Sequence, residues 1–362
     1  MTRQSPITGW PACDRELWNK AIEPGGLFGG HGAGAHWSAS SRVMVVRGYN
    51  AWLSWLAAKE LLDPNMRPND RVTRERVEAY VAEIQTKLAP YTVLSLVQQL
   101  FDALRVMEPE SNWKWPAQVY RRLKTQARPS RDKLSRLKAP QEIIALGERM
   151  MDEADATPDW SARRRAVAYR DGLLIALLAY RPVRRKNLAM MRLGRHLVKV
   201  GGCWQIVFTV EETKSHAPYE APLPAVLRSR LERYLDVHRP VLMRGEGTGN
   251  AAASPVDPEL DAVWVSEVGT QLTYGILGKR IFEHTRQEFG RGLNPHMFRD
   301  CVATSVAVDN PKHIGDASLI LGHAGHRTTQ KYYNHARNLD ASRRHAAMIA
   351  SLRESLKGKG NR

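Results

Sequence analysis

Apolar positions recur at helical intervals along most of the chain, and only one short stretch alternates as strands do. In VRGYNAWLSWLAAKELL, residues 46–62, Tyr49, Trp52, Leu53, Leu56 and Leu61 fall roughly on one face, a spacing that predicts an amphipathic helix. Thr73 followed by Arg74, Glu75 and Arg76 reads as an N-cap opening a helix through Leu88. TVLSLVQQLFDALRVM and WPAQVYRRLKTQA predict two more helices, and after Pro140 QEIIALGERMMDEA and SARRRAVAYRDGLLIALLAYRPVRRKNLAMM continue the helical period. WQIVFTV and APYEAPLPA read as two short strands around the turn TKSH, a hairpin embedded in helices. Helices resume from Leu227, with loops at RGEGTGNAAASPVDP and NPH, and no internal repeat is present. The pattern predicts a mainly α protein with a small β-sheet. Residues 1–41, whose 23–41 stretch is rich in Gly, Ala and Ser, read as an N-terminal extension or arm. A helical domain over 42–126, a basic linker over 127–139 and a second domain over 140–362 follow.

A length of 362 residues suits two domains better than one core. Lys and Arg number 54 against 37 Asp and Glu, a net charge of +17 that makes a polyanion the leading partner. With 43% apolar residues and ten Trp, the charge belongs to folded surface rather than to a disordered tail. Cys13, Cys203 and Cys301 are too scattered for a disulfide framework or a zinc motif, which predicts a reducing, cytoplasmic compartment and no metal. The N-terminus lacks an apolar signal region, and the longest apolar run, Leu173 to Tyr180, is under half a membrane span, so neither secretion nor a membrane partner is expected.

Residues 121–138 hold eight basic side chains and one acidic. Such a run is as often a solvated surface as a phosphate track, and it makes Arg121, Arg122, Lys124 and Arg128 candidate DNA contacts. The C-terminal third is dense in His, Arg and Tyr: HMFRD at 296–300, LGHAGH at 321–326 and TTQKYYNHA at 328–336. His296 and Arg299, three apart after Asn294-Pro295, project from one face near a helix start, where an anion binds well. A tyrosine such as Tyr332 or Tyr333 has an ordinary pKa near 10, so as a nucleophile it needs cations around the phosphate and a base for its proton. Arg181, Arg184 and Arg185 end an apolar helix, an odd place for three cations unless an anion is bound there, and Arg suits the bidentate grip on phosphate oxygens. Lys214 in the hairpin turn is a candidate proton donor to the same phosphate.

The order of these residues, an Arg, a hairpin Lys, His-x-x-Arg, Leu-Gly-His and a Tyr nine residues later, resembles that of the tyrosine recombinases, or phage-type integrases. The resemblance spans about 40–360 and implies a helical core-binding, DNA-binding domain followed by a catalytic domain. It implies that the catalytic residues are Arg184, Lys214, His296, Arg299, His323 and Tyr332, with Arg181 the runner-up for the first Arg and otherwise a DNA contact, and Tyr333 the runner-up for the nucleophile. Asn187 stands where the family commonly has Glu, and Asp300 where it commonly has His. The family reaction implies site-specific cutting and rejoining of double-stranded DNA through a 3′-phosphotyrosyl intermediate. It needs neither ATP nor metal and no other cofactor, and here it would serve a mobile element. The two domains would clamp duplex DNA, and self-association to a tetramer on DNA would use a C-terminal helix, Ser342 to Leu356, with accessory or sister recombinases as further partners and the nucleoid as the location. Two rival readings remain at the sequence level: a type IB topoisomerase-like relaxase, and a non-catalytic DNA-binding module on the same fold, the latter suggested by Asn187 and Asp300.

Overall fold

The computed structural model describes residues 7–26, 29–129, 134–244, 261–309 and 348. They fall into two compact units divided between residues 132 and 133.

In the first unit, α1 (Ala12–Ile22), α2 (Ala39–Ala58), a single turn α3 (Pro68–Arg71), α4 (Arg74–Lys87), α5 (Pro90–Met107) and α6 (Lys114–Gln126) surround an aromatic core. Thr73 caps α4 as its sequence predicts, its side chain accepting from the Arg76 N–H at 3.3 Å. Trp52 stacks on Trp55 with ring centroids 5.3 Å apart and meets Tyr80 edge-on at 5.2 Å, so α2 and α4 are joined by rings spaced about one turn apart.

The expectation that residues 1–41 form an arm is corrected here. Trp10 and Trp18 enter the same core, with Trp10 edge-on to Tyr49 at 4.7 Å. Asp14 is fully buried, accepting from the Tyr49 hydroxyl at 2.7 Å and ion-paired to the buried Arg71. A carboxylate hidden at that depth requires such partners. The Gly/Ala/Ser composition of 23–41 describes only the connection that follows α1, and α2 already begins at Ala39.

The second unit is built on α7 (Pro140–Ala156) and α8 (Ala162–Tyr180). The pair approach closely because each presents a glycine: a Cβ on Gly172 would lie 2.6 Å from the Gly147 carbonyl oxygen, and one on Gly147 2.6 Å from that of Gly172. From Ala166 to Ala179 nearly every residue of α8 is buried, which makes it the central helix of the unit. Arg181 and Pro182 end it. Proline supplies no N–H to continue the ladder, and a five-residue turn, α9 (Arg185–Ala189), restarts with Arg184 at its N-cap.

Next comes an antiparallel sheet in the order β1 (Leu197–Val200), β2 (Cys203–Phe208), β3 (Tyr219–Pro222). The sequence predicts only the hairpin that became β2 and β3. Strand β1 joins through Gly201 and Gly202, both at positive φ, the backbone a two-residue hairpin turn demands. Helices α10 (Arg228–Arg233) and α11 (Arg239–Met243) flank a π-turn at Tyr234–His238, and α12 (Tyr274–Phe289) and α13 (Pro295–Asp309) complete the described part. Asp171 at the heart of α8 is buried and receives Arg170 (2.8 Å), the Arg280 guanidinium and His284 (3.0 Å), so one carboxylate pins α12 to α8.

The basic linker expected over 127–139 also changes character part-way. From Leu134 it belongs to the second unit: the Arg136 guanidinium donates to the Gly292 carbonyl, and the Lys138 ammonium lies 5.1 Å from the Phe289 ring centroid. Among the described residues no helix is long and apolar enough to cross a membrane.

Candidate active site

The break between α8 and α9 is where the cations gather. Arg181 follows the last residue of α8, and its Nε donates to the Pro222 carbonyl at the end of β3, 3.1 Å away. Arg299, one turn into α13, is buried, and its Nη1 donates to the Pro182 carbonyl at 2.5 Å. One side chain from α13 is therefore seated on the segment that carries Arg181 and Arg184. Tyr219 of β3 lies within electrostatic reach of both Arg181 and Arg299; burial raises its hydroxyl pKa and the two cations partly offset this.

Arg184 is partly buried, and desolvation lowers its guanidinium pKa. A cation held where its charge is poorly hydrated gains more from a bound anion than an exposed one does.

Lys214 is exposed in the loop between β2 and β3. That loop is fixed through Glu212, whose carboxylate accepts from the Thr209 N–H (3.0 Å), Arg195 (2.6 Å) and His196 (3.0 Å). The hydrogen bond from His196 does most to hold the Glu212 carboxyl down at about 2, against the opposing effect of burial. Because His196 Nδ1 accepts from the Arg192 N–H, its Nε2 is the nitrogen that donates to Glu212. Asn187 closes the connection. Its Nδ2 donates to the Glu212 carbonyl at 3.1 Å, fastening the Lys214 loop to α9. Asn187, which stands where the resemblance would place Glu, thus ties the loop to α9.

His296 lies in the first turn of α13, exposed, three residues before the buried Arg299. Asn294 caps this helix, its Oδ1 accepting from the N–H groups of His296 and Met297 at 3.0 and 3.2 Å. Asp300, beside Arg299, is buried.

Hydrogen bonds thus bring together the segments bearing Arg181, Arg184, Lys214 and Arg299, with His296 one turn along α13. His323, Tyr332 and Tyr333 lie outside the described residues, as does the expected C-terminal helix 342–356 apart from Met348. The sequence reading missed Tyr219 and the loop ties of Asn187 and Glu212. Their only sequence signal is proximity to the hairpin.

The sequence matches no family model and no curated protein. Solved structures do match in three dimensions. The site-specific recombinase XerH bound to its difH substrate, in a pre-cleavage complex, superposes with a TM-score of 0.53 at 19% identity, covering 84% of this chain and 78% of that one. The Tn1549 transposon integrase in complex with a circular intermediate DNA gives 0.52 at 14% identity, covering 91% and 99%. The fold is that of the tyrosine recombinases. The two matches cover 84% and 91% of this chain, so each extends over residues of both helical units.

Of the proposed DNA contacts in the first unit, Arg121, Arg122 and Lys124 lie on α6. The Lys124 ammonium is 5.9 Å from the Tyr120 ring centroid. Arg128 is partly committed, its Nη1 donating to the Thr125 carbonyl at the end of α6, 2.7 Å away.

Proposed function

We propose that the protein is a site-specific DNA recombinase or integrase that cuts and rejoins double-stranded DNA through a 3′-phosphotyrosyl intermediate, in the service of a mobile element. The observation that carries this reading is the Arg299–Pro182 hydrogen bond, which seats the arginine of the His-x-x-Arg motif against the Arg181–Arg184 segment on a recombinase fold.

In this mechanism the Tyr332 hydroxyl oxygen attacks the scissile phosphorus. A Tyr–O–P bond forms as the bond from phosphorus to the 5′-oxygen breaks. His296 takes the tyrosine proton, and Lys214 gives one to the departing 5′-oxygen. Arg184, Arg299 and His323 balance the charge that builds on the five-coordinate phosphorus. The 5′-hydroxyl of a partner strand then attacks the phosphotyrosyl bond and frees Tyr332. One phosphodiester is exchanged for another, so the sequence of steps needs neither ATP nor metal. Exchange between two duplexes calls for four protomers, and the +17 charge supplies affinity that is largely indifferent to sequence.

The test begins with duplexes selected by the protein from a random pool. Nicked versions trap cleavage because the short 5′ fragment diffuses away. The wild type should give a protein–DNA adduct that survives denaturing electrophoresis, and Tyr332→Phe should give none while binding DNA normally. A wild type that binds the selected duplexes without forming an adduct contradicts the proposal and leaves a binding module.

A further inference from the structure

The residue after Arg184 is held in a way the reaction above does not use. The Arg185 guanidinium lies 5.0 Å from the ring centroid of Tyr274, the first residue of α12. One turn along α12, Gly278 leaves the space through which the Arg185 side chain runs: a Cβ there would sit 2.7 Å from Arg185 Nη1 and 3.1 Å from its Cδ. Arg185 is nonetheless exposed, and among the described residues no carboxylate is paired with it. Exposure alone does not set it apart, since Arg164, 4.1 Å from the Trp160 ring centroid, is also exposed, but four other exposed arginines of this unit are ion-paired. Arg149, Arg192, Arg195 and Arg233 each meet an acidic side chain at 2.5 to 3.1 Å.

A guanidinium that is oriented by a ring, threaded past a glycine and without a paired carboxylate among the described residues is well placed to take a phosphate. Its planar donors are already fixed, so little freedom is lost when they bind phosphate oxygens. Lys186, exposed beside it, adds to the local positive field.

We propose that Arg185 grips a second, non-scissile phosphate of duplex DNA and so sets the register of the strand at the arginine site, with Tyr274 and Gly278 presetting its geometry. The inference rests on the reading of that site as one that acts on DNA.

Equilibrium binding of one fixed duplex to the full chain, measured from about 50 to 200 mM salt, tests it. Arg185→Ala should weaken binding about fivefold or more and lower the salt slope by about one. Gly278→Ala keeps the charge but drives a methyl group into the guanidinium, and should weaken binding about threefold or more. Should that variant fail to fold, Tyr274→Ala takes its place, and Tyr274→Phe should bind as the wild type does. Arg149→Ala removes the same charge from an ion pair elsewhere and should change affinity less than about twofold. The inference is overturned if Arg185→Ala loses no more than Arg149→Ala, or if both Gly278→Ala and Tyr274→Ala bind normally. Because binding is read without chemistry, a wild type that binds but forms no adduct defeats the strand-transfer reading alone, and normal adduct formation with unaffected Arg185 variants defeats only this inference.

Discussion

Two arginines three residues apart have been given different work by a proline. Arg181 spends its Nε on the Pro222 carbonyl and so braces β3, whereas Arg184 opens α9 in a partly dehydrated position. Arg184→Ala should cut single-turnover cleavage at saturating DNA by about a hundredfold, the loss of roughly 3 kcal/mol of transition-state stabilisation. Arg181→Ala should chiefly raise the DNA concentration required. Reversed phenotypes on a nicked substrate would exchange the two roles. Asn187 offers a sharper case, because it is a donor where the family commonly has an acceptor. Its amide holds the Glu212 carbonyl, which a carboxylate would repel. Asn187→Asp and Asn187→Ala should therefore slow cleavage alike, by about tenfold, through a loosened Lys214 loop and without much loss of DNA affinity. Faster cleavage by Asn187→Asp would mean that a carboxylate facing Arg184 is what the site lacks.

At the scale of elements, the fold hangs on the junction of α8 with its neighbours. Burial works to raise the Asp171 pKa, but Arg170, His284 and Arg280 outweigh it and hold the carboxyl well below the usual range. A folded-state pKa below the unfolded one adds stability that is fully present above the unfolded value, near 3.9, and is lost as pH falls through the folded value. Asp171→Asn should then remove much of the acid sensitivity of unfolding below about pH 4. It should also destabilise the second unit by about 3 kcal/mol or more at neutral pH, since Arg170 and Arg280 lose their buried counter-charge and His284 its acceptor. Denaturant melts from pH 3 to 7 check both effects. Helices were legible because their apolar period is long: α2, α4 and α5 could be read from Trp52, Tyr80 and Leu100 and their neighbours. Strand β1 was not, because LVKV offers four residues of alternation and its pairing depends on a Gly-Gly turn and on β2. Nor was α1. Its packing rests on two tryptophans and an aspartate whose partners, Tyr49 and Arg71, lie 35 and 57 residues away. The same limit governs the site: the order of Arg184, Lys214, His296 and Arg299 can be read along the chain, but the hydrogen bonds from Arg299 to Pro182 and from Asn187 to Glu212 span 117 and 25 residues and leave no local trace.

For the whole molecule, the proposed function makes the excess of 17 positive charges the main source of affinity for DNA. Affinity for duplexes should fall steeply between about 50 and 200 mM salt, and replacing Arg121, Arg122, Lys124 and Arg128 together by Ala should flatten the slope. Arg128, already bonded to the Thr125 carbonyl, should contribute least when each is changed singly. A slope unchanged in the fourfold variant would move the phosphate track away from the end of α6.

The central claim is that Tyr332 becomes joined to DNA. Trapped adduct digested with nuclease and trypsin should yield one modified peptide, the six residues from Tyr332 to Arg337 that follow Lys331. Fragmentation should place the nucleotide phosphate on Tyr332 rather than Tyr333. Modification of Tyr333, of a tyrosine elsewhere in the chain, or of none at all would contradict the account.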